Sequence, residues 1–200
     1  MTVLSRCDGA DIAGHDEQMR VVAGSARGLR LQGPPTEGTR PISDRAKESL
    51  FNIIGPAVRG TRFLDLFAGT GGVGIEALSR GAAEAVLVEQ DRAVVDVINA
   101  NLVTTRLADG ATVVRADVFG WLDRHHDPFD VVFSGPPQWQ ELWGRSLAAI
   151  DERPGLLAPE ALVVVQLDPR EEADEPPLSH LELRDARRYG NVALRFYSVA

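Results

Sequence analysis

Phe63-Leu64-Asp65-Leu66-Phe67-Ala68-Gly69-Thr70-Gly71-Gly72-Val73-Gly74 runs an apolar strand into an acid, then a glycine turn, then the start of a helix. Glycine lets the backbone turn tightly and approach a ligand without a Cβ in the way. The helix that follows offers unpaired N–H groups and the positive end of its dipole. A β-turn-α unit of this kind is a pocket for a nucleotide-type cofactor.

Working outward, strands and helices alternate. Residues 62–67 read as a strand, 72–80 as a helix stopped by Gly81, and 85–89 as a second strand ending in an acid. A helix over 92–101 follows, with Val94, Val95, Val97 and Ile98 as its buried face. The third strand is 111–115, a short helix spans 118–124, and the fourth strand is 129–133. Residues 140–150 read as a helix and 161–166 as the fifth strand. An antiparallel hairpin of 184–188 and 192–197, joined through Tyr189-Gly190-Asn191, closes the chain. Near-continuous Val/Leu strands between helices predict a mostly parallel, seven-stranded, Rossmann-like α/β sheet covered on both faces.

Ahead of this core, residues 1–18 are acidic and aperiodic and are expected to be a disordered tail. Two short strands, 20–24 and 28–31, read as a hairpin around a glycine turn, and 33–38 as a loop. Ser43 as N-cap, apolar residues at 46, 50, 53 and 54, and Gly55-Pro56 as a stop mark a helix. The expected organisation is a tail (1–18), a basic hairpin-and-helix extension (19–60) and the α/β domain (61–200).

The 200 residues are 44% hydrophobic and 25% charged, the profile of one soluble domain. No apolar run approaches the roughly 20 residues of a membrane span, and no signal pattern opens the chain, so a cytoplasmic location away from membranes is expected. The single cysteine, Cys7, excludes an internal disulfide framework and a cysteine metal site. Net charge is −8, yet residues 19–62 carry a local +5 from eight basic side chains against three acids. Such a segment on an acidic body can dock a phosphate backbone, or it can simply solubilise a surface.

Gly69, Gly71 and Gly74 match G-x-G-x-x-G, and Glu89 lies 20 residues beyond Gly69, a pattern that by itself reads as NAD binding. Two details turn it toward S-adenosylmethionine. Asp65, inside the strand end, would repel a pyrophosphate but suits a cationic amino group. Ser134-Gly135-Pro136-Pro137 places a rigid turn at the carboxyl edge of the sheet, where this architecture puts its chemistry. Phe67, Ala68, Gly69 and Gly71 then border the methionine part of the cofactor, and Glu89 accepts the ribose hydroxyls. Gln90, Asp91 and Val118 border the adenine, and Asp117 either accepts its amino group or caps a helix.

The chain resembles the RsmD-type family of 16S rRNA (guanine-N2)-methyltransferases, class I S-adenosylmethionine-dependent enzymes. The resemblance rests on Arg20-Val21-Val22-Ala23-Gly24, Arg40-Pro41-Ile42-Ser43-Asp44-Arg45 with Glu48–Asn52, Leu64–Gly71, Gly74–Ala82 and Tyr189-Gly190-Asn191, covering residues 19–199. It implies methyl transfer to the exocyclic N2 of a guanine, with rRNA or the assembling small subunit as partner and a monomeric protein. It also implies phosphate contacts from Arg27, Arg30, Arg45 and Lys47, with Arg40 near the cofactor.

One departure stands out. The family places Asp or Asn, Pro, Pro, then Tyr or Phe after the fourth strand. There two acceptors, the acid or amide side chain and the first proline's carbonyl, hold the amino hydrogens while the aromatic stacks on the base. Here the segment is Gly135-Pro136-Pro137-Gln138. Pro136 still offers its carbonyl, Ser134 a hydroxyl, Gln138 an amide oxygen and Trp139 a stacking surface. Two readings follow: a working methyltransferase with a rebuilt turn, or a cofactor-binding assembly factor of weak or no activity. His125 and His126 read as a solvated loop pair, and Trp121 and Trp143 as packing residues.

Overall fold

Strands made of consecutive Val and Leu have no polar face to show water, so both faces of their sheet must be covered. The computed structural model describes residues 19–35 and 42–200, with Ala173 and Asp174 as backbone only. The expectations for the tail 1–18, the loop beyond Pro35 and Arg40 lie outside the described residues. Seven strands, β1 (Arg62–Leu66), β2 (Glu84–Glu89), β3 (Ala111–Arg115), β4 (Phe129–Ser134), β5 (Leu157–Leu167), β6 (Leu181–Tyr189) and β7 (Val192–Val199), form one sheet. Its order is β3-β2-β1-β4-β5-β7-β6. The first five are parallel, and β7 inserts antiparallel between β5 and β6. The order reverses between β1 and β4, and crevices for ligands open at such a point, outside the strand carboxyl ends.

Alternate residues feed the two faces. Phe63, Leu87, Val131, Phe133 and Val164 pack beneath α1 (Asp44–Ile54), α2 (Gly72–Ser79) and α3 (Arg92–Thr105). Leu64, Leu66, Val86, Val88, Val132 and Val165 pack against α4 (Val118–Leu122) and α5 (Leu142–Asp151) through Leu122, Trp143, Leu147 and Ile150. Ser43 caps α1, its side chain accepting from the Ala46 amide, and Gly55 at φ 61° ends it.

Residues 20–31 depart from the expected pair of strands. Only one antiparallel bridge, Arg20 to Arg30, joins the two arms. Hydrogen bonds from Val21 to the Leu29 carbonyl (3.0 Å), Gly28 to the Val21 carbonyl (2.8 Å) and Leu31 to the Met19 carbonyl (2.8 Å) hold the arms together, and further backbone groups turn to α2. Val22 and Ala23 donate to the two Glu76 carboxylate oxygens (2.8 and 2.9 Å), Ser25 donates to the Ser79 carbonyl (2.8 Å), and Ala26 to the Ser79 hydroxyl (3.0 Å). Gly24 lies so close that a Cβ there would sit 1.9 Å from the Ser79 carbonyl oxygen. Val21, Ala26 and Leu31 thereby join the core beneath α1 and α2.

Two further differences have local causes. Helix α3 runs four residues past the expected end to Thr105, and buries Ile98, Asn101, Leu102 and Thr105; Val94, Val95 and Val97 are only half-buried. Of the expected solvated pair, His126 is exposed, but His125 is half-buried: its ring stacks on Trp121 at 4.2 Å and on Phe129 at 5.3 Å, and burial holds its pKa below the usual value. Trp143 is in the core.

Candidate active site

Two adjoining cavities open at the carboxyl edge of the sheet. The larger, about 530 Å³, is lined by Glu89, Asp91, Val94, Asp117 and Val118 on one side and by Gly135–Gln140 on the other. The smaller, about 90 Å³, is lined by Asp65, Ala68, Phe133 and residues of the N-terminal unit, Met19, Pro34 and Ile42. Phe67, Gly69, Gly135 and Gln166 border both. Phe67 adopts φ 60°, a conformation that costs a bulky residue energy and that marks the sharp exit from β1.

The glycine turn uses its own amides. Gly69 donates to Glu89 Oε2 (3.0 Å), Gly71 to the Ala68 carbonyl (2.8 Å) and Gly74 to Asp65 Oδ2 (2.8 Å). These three glycine amides are therefore engaged within the protein. Gly71 borders neither cavity; it needs φ 82° to cap α2, and a Cβ there would press on Ile75, Leu87 and Ile98. Its position thus serves packing and turn geometry, set back from the cavity walls where the sequence had placed it beside the methionine part of the cofactor.

The electrostatics are one-sided. Four carboxylates (Asp65, Glu89, Asp91 and Asp117) border the cavities, and no Lys, Arg or His is among the described lining residues. Asp65 is buried, and burial raises its pKa to about 7, with the Glu89 charge adding and the Gly74 amide opposing. A buried acid with one amide partner is a demand for a cation. Glu89 also accepts from the Gln90 and Asp91 amides at Oε1 (2.8 and 3.0 Å), so one lone pair, on Oε2, remains for a ligand hydroxyl. Asp91 Oδ1 caps α3, and Asp117 Oδ1 caps α4 by accepting from Gly120 (2.8 Å) while the residue borders the larger cavity. The cap and the ligand-facing reading of Asp117 are thus compatible.

Gly135, Pro136, Pro137, Gln138 and Trp139 all border the larger cavity. Ser134 does not: it is fully buried on the opposite face of the sheet, with its hydroxyl 2.9 Å from that of Ser146. One step along a strand reverses the side-chain direction, so it cannot stand in for a side chain at 135. A Cβ on Gly135 would lie 2.9 Å from Phe133 Cε1. Trp139 adopts φ 65°, donates its amide to Glu171 Oε1 (3.1 Å) and stacks under the Arg170 guanidinium at 4.1 Å. Arg170 in turn grips Asp168 with two hydrogen bonds, which hold that carboxyl down at about 2. Trp139 is thus an exposed ring braced from one side.

The N-terminal basic residues divide. Arg27, Arg30 and Arg45 are exposed and form no ion pair among the described residues. Lys47, expected on that same face, is buried. Its ammonium donates to the Arg20 carbonyl (2.5 Å) and lies 3.7 Å from Glu76 Oε2 and 3.8 Å from Asp44 Oδ1. Burial lowers its pKa against the pull of those carboxylates. It ties α1 to α2 and the hairpin and cannot reach a phosphate.

The sequence did not single out Phe133, Thr70 or Gln166 for this site. Asn101, fully buried on α3, likewise escaped notice: it accepts from the Gln32 amide (2.7 Å) and donates to the Gln32 and Thr70 carbonyls (3.2 and 3.0 Å), tying the extension to the glycine turn. An asparagine amid Val and Ile on a helix face was the available signal.

Comparison with known proteins places this arrangement. The family model described as conserved hypothetical protein 95 matches residues 19–198. Ribosomal RNA small subunit methyltransferase D of Escherichia coli is 37% identical over 180 residues, covering 90% of this chain and 89% of that protein. The protein of the same name from Haemophilus influenzae is 34% identical over 185 residues, covering 90% and 93%. Among solved structures, the E. coli protein yhhF aligns with TM-score 0.80 at 37% identity over 91% of this chain and 98% of its own. An RNA methyltransferase of Salinibacter ruber in complex with S-adenosyl-L-homocysteine shares the fold, with TM-score 0.62 at 16% identity over 80% and 94%.

Proposed function

The chain belongs to the RsmD family, and from that premise we propose that it transfers a methyl group from S-adenosylmethionine to the exocyclic N2 of a guanine in small-subunit rRNA. The observation that carries the reading is the charge of the cavity: four carboxylates and no cation among the described lining residues. Such a site repels a dinucleotide pyrophosphate and favours a cofactor bearing an ammonium and a sulfonium.

The residues present fit that group. Asp65 would hold the ammonium, Glu89 Oε2 a ribose hydroxyl, and Val88, Val94 and Val118 the flanks of the adenine. S-adenosylmethionine supplies a methyl group already activated as an electrophile. What remains for the protein is alignment, which can account for about 7–11 kcal/mol of a barrier. The Pro136 carbonyl, on a turn stiffened by two prolines, would accept one amino hydrogen of the guanine. Trp139, braced by Arg170 and Glu171, would stack on the extruded base, a contact of about 1–3 kcal/mol. Arg27, Arg30 and Arg45, on the unit that also walls the smaller cavity, would hold the RNA backbone.

The test is transfer of tritium from labelled S-adenosylmethionine to small-subunit rRNA, naked and within assembled subunits, followed by nuclease digestion and identification of the modified nucleoside. N2-methylguanosine is expected. Cofactor and rRNA binding without transfer would overturn the enzymatic reading and leave the assembly factor motivated by Gly135 and Gln138. Label in another nucleoside would overturn the guanine assignment.

A further inference from the structure

The missing side chain at position 135 leaves the guanine amine one acceptor short, and the sheet offers a replacement from another strand. The β1–β4 and β4–β5 registers pair Leu66 with Ser134 and Ser134 with Val165. One residue further, at the carboxyl edge, Phe67, Gly135 and Gln166 form the next row, and the β1–β2 register, which pairs Leu66 with Val88, extends that row to Glu89. Every member of this row borders the larger cavity. Gln166 borders the smaller one as well, so it stands at the junction between the Asp65 cavity and the cavity that holds both Glu89 and the Gly135–Gln140 turn. Its side-chain amide forms no hydrogen bond among the described residues, and it is half-buried.

From this placement we infer that Gln166 supplies the second acceptor for the guanine amine, its amide oxygen replacing across the sheet the side chain that Gly135 lacks. This rests on the proposed guanine methylation. Gln138 also borders the cavity, but it sits on the loop that leads into the αL residue Trp139. Gln166 is on β5, between β4 and β7 and paired with Leu194, and strand positions hold a functional group more sharply than loops do. Phe133 adds a reason against position 135 itself, since its ring occupies the direction a Cβ there would take. With the Pro136 carbonyl and the Gln166 oxygen each accepting one N–H, the nitrogen lone pair is left to face the methyl carbon. As that pair forms the new N–C bond, the S–C pair stays on sulfur as a thioether, and one amine proton departs to bulk water. Gln166 is neutral throughout and accepts a hydrogen bond, not the proton.

The experiment uses the full chain. Gln166→Ala is expected to bind S-adenosylmethionine as wild type does and to lose about 10- to 100-fold in kcat, the range for an unpaired donor in a dry site. Gln166→Glu, which keeps an acceptor, is expected to stay within about tenfold of wild type and to gain an acid limb in its pH profile. A readout independent of turnover follows once the methylated guanosine is mapped. Without cofactor, wild type should prefer an RNA fragment carrying guanosine there over one carrying inosine, which lacks the amine. Gln166→Ala should bind the two alike. Unchanged kcat in Gln166→Ala, or an undiminished preference for guanosine, overturns the assignment and leaves guanine methylation standing. Loss of cofactor binding in Gln166→Ala, with Gln166→Glu equally impaired, overturns it in favour of a structural role. Absence of transfer by the wild type overturns the activity, and this assignment with it.

Discussion

Asp65 makes the most quantitative demand on the proposed cofactor. The unfolded chain releases its proton near the ordinary value of 3.8, whereas the folded chain holds it until about 7. Between those values the folded state binds more protons than the unfolded one. Stability from this residue is therefore complete below 3.8 and declines as pH rises, by about 1.4 kcal/mol per unit, until the folded carboxyl ionises near 7. A shift of this size amounts to about 4 kcal/mol above neutrality, and about 3 kcal/mol of it falls between pH 5 and pH 8. Asp65→Asn removes the term while keeping an acceptor for the Gly74 amide. Urea unfolding of both proteins without cofactor, at those two pH values, should show wild type losing about 3 kcal/mol relative to the variant on going to the higher pH. Titrating groups that are not coupled to Asp65 cancel in the comparison. The cofactor reverses the preference, because an ammonium selects the ionised carboxylate. Affinity measured by calorimetry should rise about tenfold per unit up to about pH 7 and then level off, while the variant binds weakly with a shallower dependence. Identical pH dependences for wild type and variant, in stability or in affinity, would refute the reasoning.

The remaining predictions concern the extension and the altered turn. Glu76→Gln removes the charge that meets Arg80 at 2.8 Å and Lys47 at 3.7 Å, and should cost about 3–5 kcal/mol in urea unfolding with faster hydrogen exchange at the Val22 and Ala23 amides. A loss under about 1 kcal/mol would show that the buried charges are not coupled. Gly135→Asp, which restores the family's acid, should destabilise the protein by about 1–3 kcal/mol through Phe133 and bring no gain in methyl transfer. A rise in kcat would instead identify the turn as a decayed motif. Replacing Arg27, Arg30 and Arg45 together by Gln should weaken rRNA binding and reduce the slope of log affinity against log salt by about 2–3, with cofactor affinity unchanged. An unaltered slope would remove these side chains from the RNA face.

Local signals carried far in this chain. The caps at Ser43, Asp91 and Asp117 are short side chains accepting from amides two or three residues ahead, so they are legible in the order of residues alone. The strand and helix segments follow from periodicity and from glycine and proline stops. Errors fell where a residue's meaning depends on something distant. Ser134 and Gly135 are neighbours in sequence, yet the pleat sends one into the core beneath α5 and leaves the other at the cavity. Lys47 and the exposed arginines look equivalent as basic residues, but helix phase turns Lys47 onto Glu76. The hairpin of residues 20–31 forms, but it is reduced to one bridge because part of its backbone is bonded to α2, more than fifty residues on.

By itself the sequence determined a parallel sheet, a glycine turn ending in an acid-lined pocket, and the family to which the chain belongs. Each of these is written in contiguous residues whose conformational preferences act locally. Only the tertiary structure decided that the Gly69 and Gly74 amides are engaged by Glu89 and Asp65, and that the carboxylates face the cavity with no cation among the described lining residues. It also decided that Gln166 stands beside the empty place at Gly135. Strand register and side-chain direction set those facts, and both arise from hydrogen bonds and packing between segments far apart in the chain.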